Sequence, residues 1–265
     1  MIARKTWREI LPMAIAYTLI LEALLVPAVL LWPEVRQQVA AIGKLLPMEI
    51  LKRAFEGMND PNPTAAYRAY MAVQMFFKGV NIVGIACAVL LGTGIIARER
   101  ENQTLEFLLA RPVSRSRVLW SKYWPIALAV VIPIFLTSWS AIPLSHAPGV
   151  QERLPFDLVT LAAFHNACFV LLILNLTVLA SIRMRTQVHV AFVIGAVIVV
   201  QVALYFIQTI RVASLFNLSD FDVYGPILAG NADFGELFLR KTVWLLAGSV
   251  VASVVADVWL RKSDL

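Results

Sequence analysis

Residues 71–97 read MAVQMFFKGVNIVGIACAVLLGTGIIA, a run whose one charged side chain is Lys78. A helix needs about 20 apolar residues to cross roughly 30 Å of hydrocarbon, so this run is long enough to span a bilayer. It is apolar continuously, whereas a barrel strand would alternate, so helix is the reading. Five similar runs lie before and after it: Ile10–Trp32, Tyr123–Leu144, Leu158–Ile182, Val188–Ile210 and Thr242–Leu260. Among these five only Glu22 and Asp257 are charged. The expected fold is an all-α membrane protein with six transmembrane helices in one domain, residues 1–265.

Composition agrees. Of 265 residues, 60% are hydrophobic and 15% charged, against roughly 25% charged in an average soluble domain. Mean hydropathy is +0.76. A soluble globule of this size could not hide so much apolar surface, and a disordered chain would not carry it. Cys87 and Cys168 both fall inside spans, and His146, His165 and His189 sit on different segments, so neither a disulfide scaffold nor a zinc set is expected. The first run follows Arg4, Lys5 and Arg8 as a signal peptide would. It is longer than a usual signal core and ends in Trp32-Pro33-Glu34 without a small-residue cleavage site, so it is expected to stay as the first span.

Lys and Arg set the orientation. With the N-terminus in the cytoplasm, the inside segments 1–9, 98–122, 183–187 and 261–265 hold 13 basic residues in 44 positions. The outside segments 33–70, 145–157 and 211–241 hold 9 in 82. That bias is the one the positive-inside rule requires, with both termini cytoplasmic. The net charge of +6 is mostly this signal. No basic stripe interleaved with aromatics suggests nucleic acid.

The outer segments have their own character. In 34–57, Val35, Val39, Ile42, Leu46, Ile50 and Phe55 recur at roughly helical spacing, with Pro47 expected to split the stretch into two short helices. Segment 145–157 reads as a short loop and 211–241 as an irregular or re-entrant link. Small residues recur every fourth position as Gly84, Ala88, Gly92 and as Gly248, Ala252, Ala256. Such ridges allow close helix approach, within one subunit or at a dimer seam. Inside the membrane Glu22 lies near mid-depth, with Lys78 and Asn81 in the outer half of the second span. A Glu22–Lys78 pair would form if these spans are neighbours. The three residues are candidates either for structural glue or for a polar translocation path.

The longest inside loop is the most informative. It reads RERENQTLEFLLARPVSRSR over 98–117. Leu105, Leu108 and Leu109 share a helical face, Pro112 ends that helix, and Ser114 can cap the next one. The result is a short amphipathic hairpin at the inner surface, with an acidic head and an apolar face suited to docking on another protein.

This stretch resembles the signature of type-two ABC exporter permeases, E-R-E-x-G-T-L-E-x-L-L-A-x-P-V-S-R. Glu99, Arg100, Glu101, Thr104, Leu105, Glu106, Leu108, Leu109, Ala110, Pro112, Val113, Ser114 and Arg115 match it, and Lys122 stands where the family has a lysine. Gln103 replaces the family's glycine, which argues for a helix running through in place of a tight turn. The basic start, residues 4–9, is similar to the family's amphipathic elbow. The resemblance implies a type V exporter-like permease in the cell (inner) membrane, pairing with a second permease, identical or homologous. A separate cytoplasmic ATPase would carry ATP and Mg. This chain has neither G-x-x-x-x-G-K-[ST] nor an LSGGQ-like segment, so no cofactor is expected on it. The coupling segment would sit in a cleft of the ATPase, meet its basic groups through Glu99, Glu101 and Glu106, and move spans one and two. Two other classes stay open: an intramembrane enzyme acting on lipid or peptide through Glu22, Lys78, His165 and His189, and an ATPase-linked scaffold without transport.

Overall fold

The computed structural model describes residues 2–45, 49–104 and 113–262. Among these the chain is helical. α1 runs Ile2–Leu30, α2 Trp32–Leu45, α3 Glu49–Met58, α4 Pro63–Thr93 and α5 Ala97–Glu101. Beyond the inner loop follow α6 Arg115–Leu144, α7 Phe156–Arg183, α8 Gln187–Phe206, α9 Phe221–Ala229 and α10 Phe234–Lys262. The helices α1, α4, α6, α7, α8 and α10 are each long and apolar enough to cross a membrane, and they match the six predicted runs. In lipid a backbone must satisfy its own polar groups, which a helix does residue by residue.

Local chemistry sets the ends. Asn62 caps α4 by accepting from the Thr64 N–H at 3.1 Å, with Pro63 in the first turn where no donor is needed. Ser114 caps α6 and Thr186 caps α8, each accepting an N–H at 3.3 Å, from Arg117 and His189. Gly230, at φ +79°, closes α9 in the left-handed region.

α7 is the centre of the bundle, packed by α4, α6, α8 and α10, and 67% of its most apolar window is buried against 17% for α8. The small-residue ridges serve this packing. A Cβ on Gly84 would lie 2.9 Å from a Val170 methyl, one on Gly92 2.8 Å from a Thr177 methyl, and one on Gly248 3.1 Å from Leu172. Both ridges therefore face α7 of the same subunit.

Two stretches depart from α geometry. Ala72–Val80 within α4 and Phe238–Thr242 within α10 are π-helical. Such segments widen a helix and recur at functional sites.

Several expectations need correcting. α1 carries the basic residues 4–9 in one helix with the first span, Pro12 included, so these residues form no separate elbow. α4 starts eight residues before the apolar run, because Tyr67 and Tyr70 pack on Trp32 with ring centroids 5.4 and 5.0 Å away and carry the helix outward. The link 211–241, expected to be irregular or re-entrant, is irregular only in its first part. It forms short 3₁₀ turns at Arg211–Ala213 and Leu215–Leu218, then α9, whose Phe221, Tyr224, Ile227 and Leu228 are buried. The two short helices expected in 34–57 are α2 and α3; Pro47 lies outside the described residues.

Candidate functional site

The inner loop leaves α4 at Thr93, and its first residues are fixed by hydrogen bonds to helices far away in sequence. Ser181, near the end of α7, accepts the Ile96 and Ala97 N–H groups at 3.1 and 3.0 Å and donates to the Thr93 carbonyl at 3.1 Å. One buried hydroxyl thus serves three backbone groups where α4 gives way to α5.

Glu99, Arg100 and Glu101 each have a partner. Glu99 meets the buried Lys122 ammonium of α6 at 2.5 Å, and its other oxygen accepts from the Thr104 hydroxyl. Lys122 also donates to the Ile95 carbonyl at 3.2 Å. Burial pushes the Glu99 carboxyl up, but the bonds from Lys122 and Thr104 outweigh it and hold it below its ordinary value. Arg100 donates to the Met184 and Ile182 carbonyls at 2.9 and 3.1 Å. Glu101 accepts the Gln187 N–H at 3.2 Å. Glu99 and Glu101 therefore face the helix bundle itself, and Arg100 clasps the end of α7.

α5 ends at Glu101, and Gln103 takes φ +56°. The chain makes the tight turn that the family's glycine would make. The expected run-through helix is absent because the Thr104 N–H bonds back to the Glu99 carbonyl at 2.9 Å, which closes the turn on a left-handed residue. Leu105, Glu106, Leu108, Leu109 and Pro112 lie outside the described residues. The chain resumes at Val113, and its exit is tied as firmly as its entry. Arg115 donates to the Leu260 carbonyl at 3.3 Å, Arg261 donates to Ser116 Oγ at 2.7 Å and meets Asp257 at 2.5 Å, and Arg183 lies 4.6 Å over the Trp259 ring.

The three path candidates do not converge. Glu22 is half-buried against α6, with Ser140 Oγ 2.8 and 3.0 Å from its carboxylate oxygens. Lys78 is exposed on the π stretch, and no ion pair joins it to Glu22. α1 packs chiefly on α6, so the α6 hydroxyl and not the α4 lysine reaches the carboxylate. The enzyme candidates are dispersed as well. His165 is buried between Thr242 Oγ1 and the Leu218 carbonyl, at 2.9 and 2.8 Å, while His189 caps the start of α8 with Thr186.

Asn81 belongs to a buried knot. It donates to the Ser219 carbonyl at 2.7 Å, its oxygen accepts from Asn166 at 2.5 Å, and Asn166 also donates to Tyr224 OH at 2.9 Å. Tyr224 stacks on Phe76 at 5.1 Å. Beside this knot Arg211 bridges the buried Asp220 and the exposed Asp222, the latter at 3.0 Å, and lies 4.7 Å over the Tyr205 ring. Burial and the neighbouring Asp222 push the Asp220 carboxyl up to about 6, against the pull of Arg211 and Lys241. Ser181 and Asn166 escape a reading by charge, because their span, Leu158–Ile182, carries none. Uncharged polar residues in mid-span were the signal available.

The six-helix fold agrees with what comparison of the whole sequence finds: residues 10–227 match the model of the ABC-2 family transporter protein. This chain belongs to the ABC-2 transporter family. No curated protein matches it. An ABC-2 membrane component places the chain among multi-pass permeases of ATP-binding cassette systems, a family whose permeases are normally non-catalytic. In this ABC-2 protein the loop between spans two and three is the segment with family-like residues and dense anchoring.

Proposed function

We propose that this ABC-2 protein is an exporter permease subunit of type V architecture, forming the translocation path with a second permease in the cell inner membrane. Its termini lie in the cytoplasm, where a separate ATPase binds ATP and Mg. Residues 98–117 are the ATPase-coupling element. The observation that carries this reading is the anchoring of both ends of that loop: Glu99, Arg100 and Glu101 hold the entry, and Ser114 to Ser116 hold the exit. A loop that only joined two spans would need no such fixing. A docking element does, because force applied to it must reach the helices and not be lost in loop motion.

The docking face is assigned to Leu105, Leu108 and Leu109, with Glu106, Thr104 and Arg115 at its edge. Burying one leucine contributes roughly 1.5–3 kcal/mol, so this face should hold the complex together. Leu108→Asp is expected to release the ATPase in pull-down from mild detergent, with the permease still inserted and folded. Full ATPase retention by Leu108→Asp would remove the docking assignment. For the path, Glu22 with Ser140 and, separately, the exposed Lys78 are the polar groups proposed to line it, while Asn81 serves the buried knot.

A further inference from the structure

We infer that Arg100 and Glu101 are positioning residues that carry movement of the inner loop into spans four and five, α7 and α8. The inference rests on the proposed function, since it names the route by which the ATPase acts on the bundle.

The partners on the far side are helix ends. Ile182 O and Met184 O lie at the C-terminus of α7, where the last carbonyls have no partner within the helix, and Gln187 N is the first N–H of α8. A guanidinium at a C-terminus and a carboxylate at an N-terminus also oppose the helix dipoles correctly. Side-chain pairs can swing apart by changing rotamer. A bond to a helix end can be kept under load only if the helix follows. Ser181 adds a third tie of the same kind, from α7 to the first turn of α5. The two neighbouring turns, 94–96 and 184–186, thus form one block. Spans two and three are joined to the loop by the chain itself, whereas α7 and α8 reach it through these side chains.

α8 is built to respond. It buries only Val190, Ile194 and Tyr205 along its length, whereas most of α7 is buried. Its outer end is held as well: Ser214 donates to the Gln201 carbonyl, and Gln201 Oε1 accepts the Leu215 N–H, both at 2.7 Å. A helix tied at both ends and lightly packed between them tilts when one tie moves. The route expected from the family pattern, into spans one and two, is thereby extended to the fourth and fifth.

The test uses the permease purified from its native membrane with whatever ATPase it retains. Val188, in the first turn of α8, is 58% exposed, while Cys87 and Cys168 are buried. Maleimide labelling of Val188→Cys is followed with and without ATP and Mg. In an otherwise wild-type background the rate is expected to change with nucleotide. With Glu101→Ala the nucleotide-dependent change, normalised to the ATPase that co-purifies, shrinks about fivefold, as expected for loss of one hydrogen bond, and with Arg100→Ala, which loses two, by at least as much. Glu101→Gln keeps an acceptor and should retain most of the change, a rescue that a purely structural role would not need. If Arg100→Ala fails to accumulate, the exposed Glu101 carries the test. An undiminished response in Glu101→Ala overturns the inference alone. A parent protein that retains no ATPase overturns the proposed function, and the inference with it.

Discussion

Gln103 holds a backbone conformation that side chains with a Cβ resist by about 1–2 kcal/mol. Among the described residues nothing removes that penalty, since Gln103 is exposed and the turn is closed by the Thr104 N–H on the Glu99 carbonyl. Gln103→Gly should therefore stabilise the turn. Glycine has more freedom to lose on folding, so the net gain is about 0.5–1 kcal/mol, read as a higher thermal midpoint in detergent. No gain would mean that the turn is held elsewhere. The same scale shows why the roles of the loop residues were hidden. The motif picked out Glu99, Arg100 and Glu101 from side-chain types alone. Arg100, however, meets carbonyls at 182 and 184, and backbone atoms 82 and 84 positions away leave no mark in the sequence.

Among elements, the contact of α4 with α7 is the most exacting. Thr177 is fully buried, and a Cβ on Gly92 would meet both its Cβ and its methyl within 3 Å. Gly92→Ala should cost about 1–3 kcal/mol through overpacking. Gly195→Ala on α8, with nothing within 4 Å, should be neutral or slightly stabilising. Thermal unfolding of both variants in one detergent checks the contrast, and equal midpoints would contradict the packing described. The six spans were legible because hydropathy needs no knowledge of neighbours. Their outer extensions were not: Tyr67, Arg68 and Tyr70 lower the hydropathy of a stretch that is nonetheless helical, held by Trp32 from another element. The failed Glu22–Lys78 pair has the same origin. Periodicity marks which residues share a face, but which helix that face meets depends on the whole bundle.

For the whole molecule, three contacts bear on sidedness. Arg115 and Ser116 at the loop's exit bond to Leu260 and Arg261 near the end of α10, which puts the C-terminal end of the chain beside the inner loop. Lys5 is close enough to act on the Glu99 carboxyl, which brings the start of α1 to the same end. Trp32, Tyr67 and Ser145 gather at the opposite end, where Tyr67 OH and Ser145 Oγ are 2.7 Å apart. A reporter fused after Leu265 should be cytoplasmic and one inserted near Asn59 external; the same side for both would refute a six-span plan. The π stretch Ala72–Val80 gives this plan an unequal tolerance of insertion and deletion. Each residue lost from a regular α-helix turns everything beyond it by about 100°. Between 81 and 93 such a loss would carry Gly84 or Gly92 away from α7. Between 72 and 80 the chain already holds more residues per turn than an α-helix, so one can be dropped by reverting to i→i+4 bonding with both flanks left in phase. In related sequences, changes of span length should gather in those nine positions.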